Sequence, residues 1–192
     1  MNMTTLEGLS ARERLLAAAD DLFYREGVNS VGIDRVIAQA GVAKATLYSA
    51  FGSKDELIRA YLIRRQEARQ KRILEKLERF PTPRERLLGV FEILGESCSQ
   101  PGFRGCAFLN ASVEAHSGSS TESASDAARA WTRSLFVSLS QAAGMRDPEG
   151  LAGQLVLLYD GAMVASRMDR NPEAATTARS VALALVDAAM KG

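Results

Sequence analysis

A chain of 192 residues carries one domain, or a small head with a larger body, because single cores usually serve about 100–200 residues. Apolar residues at 46% and charged residues at 24% are ordinary for a globular chain, which sets aside a disordered tail and a membrane protein. With 24 Lys and Arg against 23 Asp and Glu the net charge is +1, so any affinity for nucleic acid has to be local.

Residues 1–10 show no basic start followed by an apolar stretch, so no export signal is expected and the chain is expected to be cytoplasmic. The most apolar segment, around residues 151–165, contains Gln154 and Asp160 and falls short of the roughly 20 apolar residues that span a bilayer. No membrane partner is expected. Two cysteines, Cys98 and Cys106, give no disulfide framework, and the single histidine, His116, gives no His-rich metal site. Neither HExxH nor CxxC occurs, no nucleophile stands at a recognisable spacing from a base, and no glycine loop is built to cradle phosphate. No catalytic residue, metal or cofactor is expected.

Helix starts recur along the chain. Ser10-Ala11-Arg12-Glu13, Ser53-Lys54-Asp55-Glu56 and Thr82-Pro83-Arg84-Glu85 fit the reciprocal capping box. Asp147-Pro148-Glu149 and Asn171-Pro172-Glu173 pair a capping residue with proline at the first helical position. Apolar residues follow each start at helical spacing, and no segment alternates over strand length, so the fold class is all-α. The first helix is expected over residues 12–26, with Leu15, Ala19, Leu22 and Phe23 on one face, ended by Gly27. Short helices at 33–40, closed by Gly41, and 44–51, closed by Gly52, define a helix-turn-helix. A long helix then runs from Ser53 to about Phe80, carrying Leu57, Ile58, Tyr61 and Leu62 and then Arg64, Arg65, Arg69, Lys71 and Arg72. Further helices are expected at 83–99, 106–116, 123–143, 148–168 and 172–191, about nine in all. Pro101-Gly102 and the Ser/Gly-rich stretch 117–125 are the loops, the second expected to be the more mobile.

The chemistry concentrates in residues 27–54. A helix presented to a major groove needs small residues at its N-terminal end, so that the backbone can approach, and polar groups for bases and phosphates. Residues 42–49 supply both. Leu47 and Phe51, four apart, can face the first helix, while Lys44, Ala45, Tyr48 and Ser49 share the opposite surface. Lys44 and Tyr48 are candidates for phosphate, Thr46 and Ser49 for phosphate or base edges; for Tyr48 the alternative is packing on the turn. Residues 1–60 hold seven Lys and Arg against eight Asp and Glu. Attraction therefore has to come from one basic face, with Asp20, Asp21 and Glu26 turned away, and from helix N-termini aimed at phosphates. Few released counterions and a shallow salt dependence follow.

Residues 12–61 resemble, without a gap, the DNA-binding head of the TetR family of transcriptional repressors. The likeness rests on the run RERLLAAADDLF from Arg12, on Gly27, on Ala40-Gly41-Val42, on Thr46-Leu47-Tyr48 and on FGSKDEL from Phe51. It implies that Lys44, Thr46, Tyr48, Ser49 and Lys54 approach DNA, with Ala45 on the same face and Val31 and Gly32 at the start of the preceding helix. Many members carry threonine and serine at those last two positions; here the hydroxyl is missing at Val31, and Gly32 caps by backbone freedom alone. The resemblance also implies a three-helix helix-turn-helix head over residues 1–60, with the motif at about 31–50. A helical-bundle ligand-binding and dimerisation body would follow over residues 61–192.

The run Leu155–Tyr159 is apolar on every side of its helix, and Ala178, Val181, Leu185 and Ala188 recur at helical spacing in the last one. The resemblance implies a homodimer through these two helices, with Leu155, Leu158, Val181 and Leu185 as interface candidates; a monomeric core is the alternative. Twofold symmetry implies a pseudo-palindromic double-stranded operator, and the family mode implies release by a small-molecule effector. Phe91, Cys106, Phe108, Trp131 and Tyr159 are the leading pocket candidates, beside Cys98, Phe103, Leu109 and Phe136; each also reads as plain core. Cys106, after Arg104 at a helix start, is either a sensing thiol or an inert one, and a Cys98–Cys106 disulfide is disfavoured by a reducing cytosol. His116 reads as a solvated helix end, and Glu92, Glu96 and Glu114 as a solvated face or a seat for a cationic ligand. A protein–protein module whose head has lost its operator is the competing functional reading.

Overall fold

The computed structural model describes residues 8–191; the seven residues before them, most of the stretch read as lacking an export signal, lie outside. Among the described residues every regular element is a helix: α1 (Ala11–Glu26), α2 (Ile33–Ala40), α3 (Lys44–Phe51), α4 (Lys54–Leu77), α5 (Pro83–Cys98), α6 (Ala107–Glu114), α7 (Ser120–Ala142), α8 (Pro148–Met168) and α9 (Ala174–Lys191). The all-α expectation holds.

The caps are built largely as their residues dictate. Ser10 Oγ accepts from the Glu13 N–H at 3.2 Å and the Glu13 carboxylate accepts from the Ser10 N–H at 2.9 Å. Thr82 and Glu85 repeat this at 3.2 and 3.0 Å, with Pro83 at the first position of α5. Hydrogen bonds from the cap hydroxyls hold the Glu13 and Glu85 carboxyls below the usual range. At Ser53 only half the box forms: its hydroxyl accepts from the Glu56 N–H at 3.1 Å, but Glu56 turns to Arg59. Asp147 caps α8 through the Gly150 N–H at 2.9 Å.

Several boundaries differ from the sequence expectations. α7 begins at Ser120, so six of the nine residues in the stretch read as the more mobile loop are helix. Ser119 Oγ accepts from the Glu122 N–H at 3.1 Å while the Glu122 carboxylate accepts from the Gly118 N–H at 2.6 Å, a start signal hidden in Ser/Gly-rich composition. α4 stops at Leu77, and α6 is shorter at both ends. α9 starts at Ala174 because Asn171 Oδ1 takes the Glu173 N–H at 2.9 Å and holds residues 172–173 in a turn.

The chain divides into two compact units. The first combines residues 8–67 with Cys106–Ala127, and so contains α1–α3, α6 and the leading parts of α4 and α7. Leu15, Val31, Val36, Leu47, Leu57 and Leu62 are fully buried in it, each worth about 1.5–3 kcal/mol by transfer from water. Phe23 and Tyr61 meet edge to face at 5.7 Å. The Arg65 guanidinium lies 3.8 Å over Tyr24 and 5.4 Å over Tyr61 while gripping Asp20 with two bonds of 2.7 and 3.0 Å. α6 is bolted to the loop after α1. The Glu114 carboxylate accepts from the Asn29 N–H at 2.6 Å, and the Asn29 side-chain amide donates to the Glu114 carbonyl at 3.0 Å. Gly27, at φ 95°, makes room, since a Cβ there would meet Glu114 Oε1 at 2.7 Å. A second tie joins α7 to α4: the Ser120 and Thr121 hydroxyls donate to Asp55 at 2.6 and 2.8 Å, and the Ser120 bond holds its carboxyl below the usual range.

The second unit comprises Ala68–Gly105 and residues 128–191. α5, α8 and α9 pack on one another around Leu87, Phe91, Ile93, Phe136, Leu155, Ala182 and Val186. Phe91, Phe136 and Tyr159 form a triangle of rings with centroids 5.8 to 6.5 Å apart. Ion pairs rim this core: Arg84 with Asp187, Arg179 with Glu92 at 2.8 Å, and Glu96 with both Lys76 and Arg79. The two cations, Lys76 foremost, hold the Glu96 carboxyl below its usual range. Trp131 lies beneath Arg69 at 5.3 Å, and Arg69 is fixed by bonds of 3.0 Å to the Ala128 carbonyl and the Thr132 hydroxyl.

Candidate nucleic-acid interface

α2 and α3 are joined by a turn that depends on Gly41 in the left-handed region, φ 63°, with the Gly41 and Val42 N–H groups closing α2 at 3.3 Å. Arg14 of α1 donates to the Ala40 carbonyl at 3.1 Å, and Arg12 lies over the Phe51 ring at 4.8 Å. The motif is thus held at its turn and at its C-terminal end by the first helix. Leu47 (0% exposed) and Phe51 face inward, so Lys44, Ala45, Tyr48 and Ser49 are left exposed on the outer face, Tyr48 at 46%. Thr46 and Lys54 are half-buried at its margin.

One member of the expected set does not belong there. Val31 is 0% exposed: its isopropyl group fills the core beneath the loop before α2, so it cannot reach a phosphate. Gly32 is exposed and is the N-cap of α2, in extended backbone and with no side-chain cap.

Both helices of the motif begin bare. Gly32 and Ala43, the N-caps of α2 and α3, offer no side-chain acceptor; their carbonyls take the Arg35 and Thr46 N–H groups at 3.2 and 3.0 Å, and no side chain caps the N–H groups ahead of these. Such groups, with the positive end of the helix dipole, form a ready anion site. Three acidic residues of the head are occupied elsewhere. Asp20 holds Arg65, Asp21 pairs with Arg25 at 2.6 Å and takes a bond from Gln39 at 2.9 Å, and Glu26 is gripped by Arg35 at 2.6 and 2.9 Å. Lys44 meets Asp34 at 3.2 Å in a pair exposed on both sides, which a phosphate can displace at small cost.

The second unit corrects one further expectation. Leu155 is 0% exposed within a single chain and is a core residue, not an interface one. Apolar exposure on α8 falls instead on Leu157 (71%), Val164 (40%) and Met168 (75%), which share one helical stripe with Gly161. On α9 Val181 is 44% exposed and Leu185 half-buried, as Leu158 is on α8. A run apolar on all sides is the signal in the sequence, and the direction of the core selects Leu157 from it. Of the pocket candidates, Phe91 and Tyr159 are buried and meet Phe136 ring to ring. Trp131 is half-buried under Arg69, while Cys106 and Phe108 belong to the first unit. Cys106 serves as N-cap of α6, its sulfur accepting from the Leu109 N–H at 3.4 Å, and both cysteines are free thiols. Glu114 is tied to Asn29, and Glu92 and Glu96 to arginines, so these three carboxylates are already partnered.

The sequence model for bacterial regulatory proteins of the tetR family matches residues 15–61. A TetR-family transcriptional regulator from Streptomyces coelicolor is 35% identical in a superposition covering 93% of this chain and 95% of that one, with a TM-score of 0.85. An uncharacterised HTH-type transcriptional regulator of Mycobacterium tuberculosis is 36% identical over 78 residues, 41% of this chain and 39% of that protein. The HTH-type transcriptional activator FasR of Mycolicibacterium smegmatis is 35% identical over 81 residues, 42% of this chain and 37% of its own length. The match to these curated relatives therefore spans about two-fifths of their length. All are regulators of transcription and none is an enzyme. Among the described residues no helix is long and apolar enough to cross a membrane.

Proposed function

Because the chain belongs to the TetR family of transcriptional regulators, and is thus a DNA-binding regulator, we propose that it works as a cytoplasmic homodimeric repressor released from a pseudo-palindromic operator by a small-molecule effector. One observation carries the DNA half of this reading: α3 presents an uncapped N-terminus and an exposed row of Lys44, Ala45, Tyr48 and Ser49 while its other side is locked into the core. In a major groove the small Ala43 and Ala45 let the backbone approach. Lys44 and Tyr48 then reach phosphate, Thr46 and Ser49 phosphate or base edges, and Gly32 and Lys54 place helix starts against the flanking backbone. Residues 1–60 are the DNA-binding domain in this reading and residues 61–192 the ligand-binding and dimerisation domain.

The exposed stripe Leu157, Val164 and Met168 on α8, with Val181 and Leu185 on α9, supports a twofold contact between copies, since apolar side chains in a row are costly to leave in water. Two heads so related meet half-sites about one helical turn, roughly 34–36 Å, or a multiple apart. The ties from Glu114 to Asn29 and from Ser120 and Thr121 to Asp55 fix the head to α6 and α7, and α7 continues into the second unit. A ligand that shifts α7 can therefore change the head, with a coupling of about 1–3 kcal/mol, roughly 5–150-fold in operator affinity.

The test is a double variant, Lys44→Ala with Tyr48→Ala, measured by fluorescence anisotropy on the promoter fragment of its own gene. Truncating both side chains in each of two heads should weaken binding by about 100-fold or more, while sedimentation still reports a folded dimer. Unchanged affinity removes α3 from the interface, and a monomer at micromolar concentration removes the twofold operator.

A further inference from the structure

The second unit contains a cleft of about 370 Å³ where the C-terminal end of α5 and the loop after it meet the C-terminal end of α8 and the turn into α9. None of the Phe91, Phe136 and Tyr159 rings, which meet one another in the core, lines it. Its size is within the range of small-molecule sites. Phe103 and Pro172 give it apolar walls, Arg167 and Arg170 give it two guanidinium groups, and no carboxylate lines it. Neither arginine has an ion-pair or hydrogen-bond partner among the described residues, whereas Arg84 and Arg179 of the same unit are paired.

The backbone adds an independent sign. α1, α2, α3 and α7 are each closely followed by a glycine at positive φ, the usual residue there because a Cβ is strained. α8 is followed by Arg170 at φ 53°, among the described residues the one non-glycine residue with positive φ. Strain of this kind persists where the side chain is wanted in place. At the floor of the cleft Ser166 Oγ is buried beside the Cys98 thiol and has no nitrogen or oxygen partner. Burial pushes the Cys98 thiol up, which makes it a wall and not a nucleophile at neutral pH.

We infer that this cleft is an effector site for a small organic carboxylate, whose oxygens bridge Arg167 and Arg170 and whose flat apolar body lies between Phe103 and Pro172. Guanidinium forks match a carboxylate in geometry and charge, and two of them facing one cavity without a counter-anion leave a site that an anion completes. The inference rests on the effector-released reading above and names the chemistry of that effector.

Benzoate, its neutral isostere benzamide and inorganic phosphate are the probes, applied to the full-length protein, to Arg170→Gly and to Arg167→Gln. Benzoate at millimolar concentration should raise the wild-type Tm and move the Arg167 and Arg170 Nε–H resonances. Benzamide should do neither, and phosphate should bind more weakly. Arg170→Gly should keep or raise the Tm of the free protein, because glycine accepts the left-handed turn, yet lose benzoate affinity about tenfold or more; Arg167→Gln should lose it similarly. Benzamide matching benzoate, phosphate matching benzoate, no response to benzoate, or Arg170→Gly retaining full affinity overturns the site. Operator affinity of each variant without benzoate should equal wild type. If benzoate binds as described but leaves operator affinity unchanged, the carboxylate site stands and the effector-released reading fails.

Discussion

α1 and α5 begin with reciprocal hydrogen-bonded boxes, whereas α2 and α3, the two helices of the turn motif, begin with Gly32 and Ala43, which bring no capping side chain to their first turns. A cap on an ordinary helix is worth about 1 kcal/mol. Its absence at two adjacent starts, on the face that also carries Lys44 and Tyr48, exchanges local stability for N–H groups that an anion can occupy. The contrast teaches that an empty helix start gains meaning from its surroundings. Exposed cations and a helix locked by Leu47 and Phe51 turn the two vacancies into one surface.

Filling a vacancy breaks the contrast most sharply. Ala43→Asp supplies the missing acceptor at α3 and places a negative charge where phosphate would sit. Chemical denaturation should show a gain of about 1 kcal/mol while operator affinity falls tenfold or more, opposite signs that an interface elsewhere would not produce. Emptying an occupied start is the converse. Thr82→Ala should lower the urea-unfolding free energy by about 1 kcal/mol with no change in DNA affinity.

A smaller effect is expected at Asp55. Its carboxyl is held below the ordinary range by Ser120, so the folded state binds its proton less readily than the unfolded chain. The stability it contributes is present above the unfolded value, near pH 4, and is lost as pH falls through the lower folded value. Asp55→Asn should flatten the acid limb of a pH series of thermal melts without altering the neutral plateau's slope. The smallest change concerns Ser140, 0% exposed in α7 with its hydroxyl unpartnered in the core. Ser140→Ala should leave the unfolding free energy unchanged or raise it by no more than about 1 kcal/mol in urea titrations.

Local features are legible in the sequence because their causes are local. Ser10 with Glu13 and Thr82 with Glu85 determine a cap within four residues, and Gly41 determines the turn, so α1, α2, α3 and α5 begin and end close to expectation. Leu47 turning inward and Tyr48 outward follows from helical period alone. Which way a uniformly apolar helix turns does not: Leu155 and Leu157 look alike until α5 and α9 cover one of them. Resemblance puts Val31 on the DNA face, yet an apolar side chain where others carry a hydroxyl packs inward. The bond from Asn29 to Glu114 joins residues 85 apart and has no local signature at all. Ser119 and Glu122 do carry a start signal for α7, masked by the serines and glycine around them.

The position of Trp131 has a practical consequence. It is the chain's single indole, stacked under a guanidinium that is itself anchored to Ala128 and Thr132 on the same helix. Selectively excited emission therefore comes from one known spot on α7, with a built-in neighbour whose displacement changes its brightness. Titrating compounds against that glow gives an optical readout of the body alone, without a label and without DNA in the cuvette.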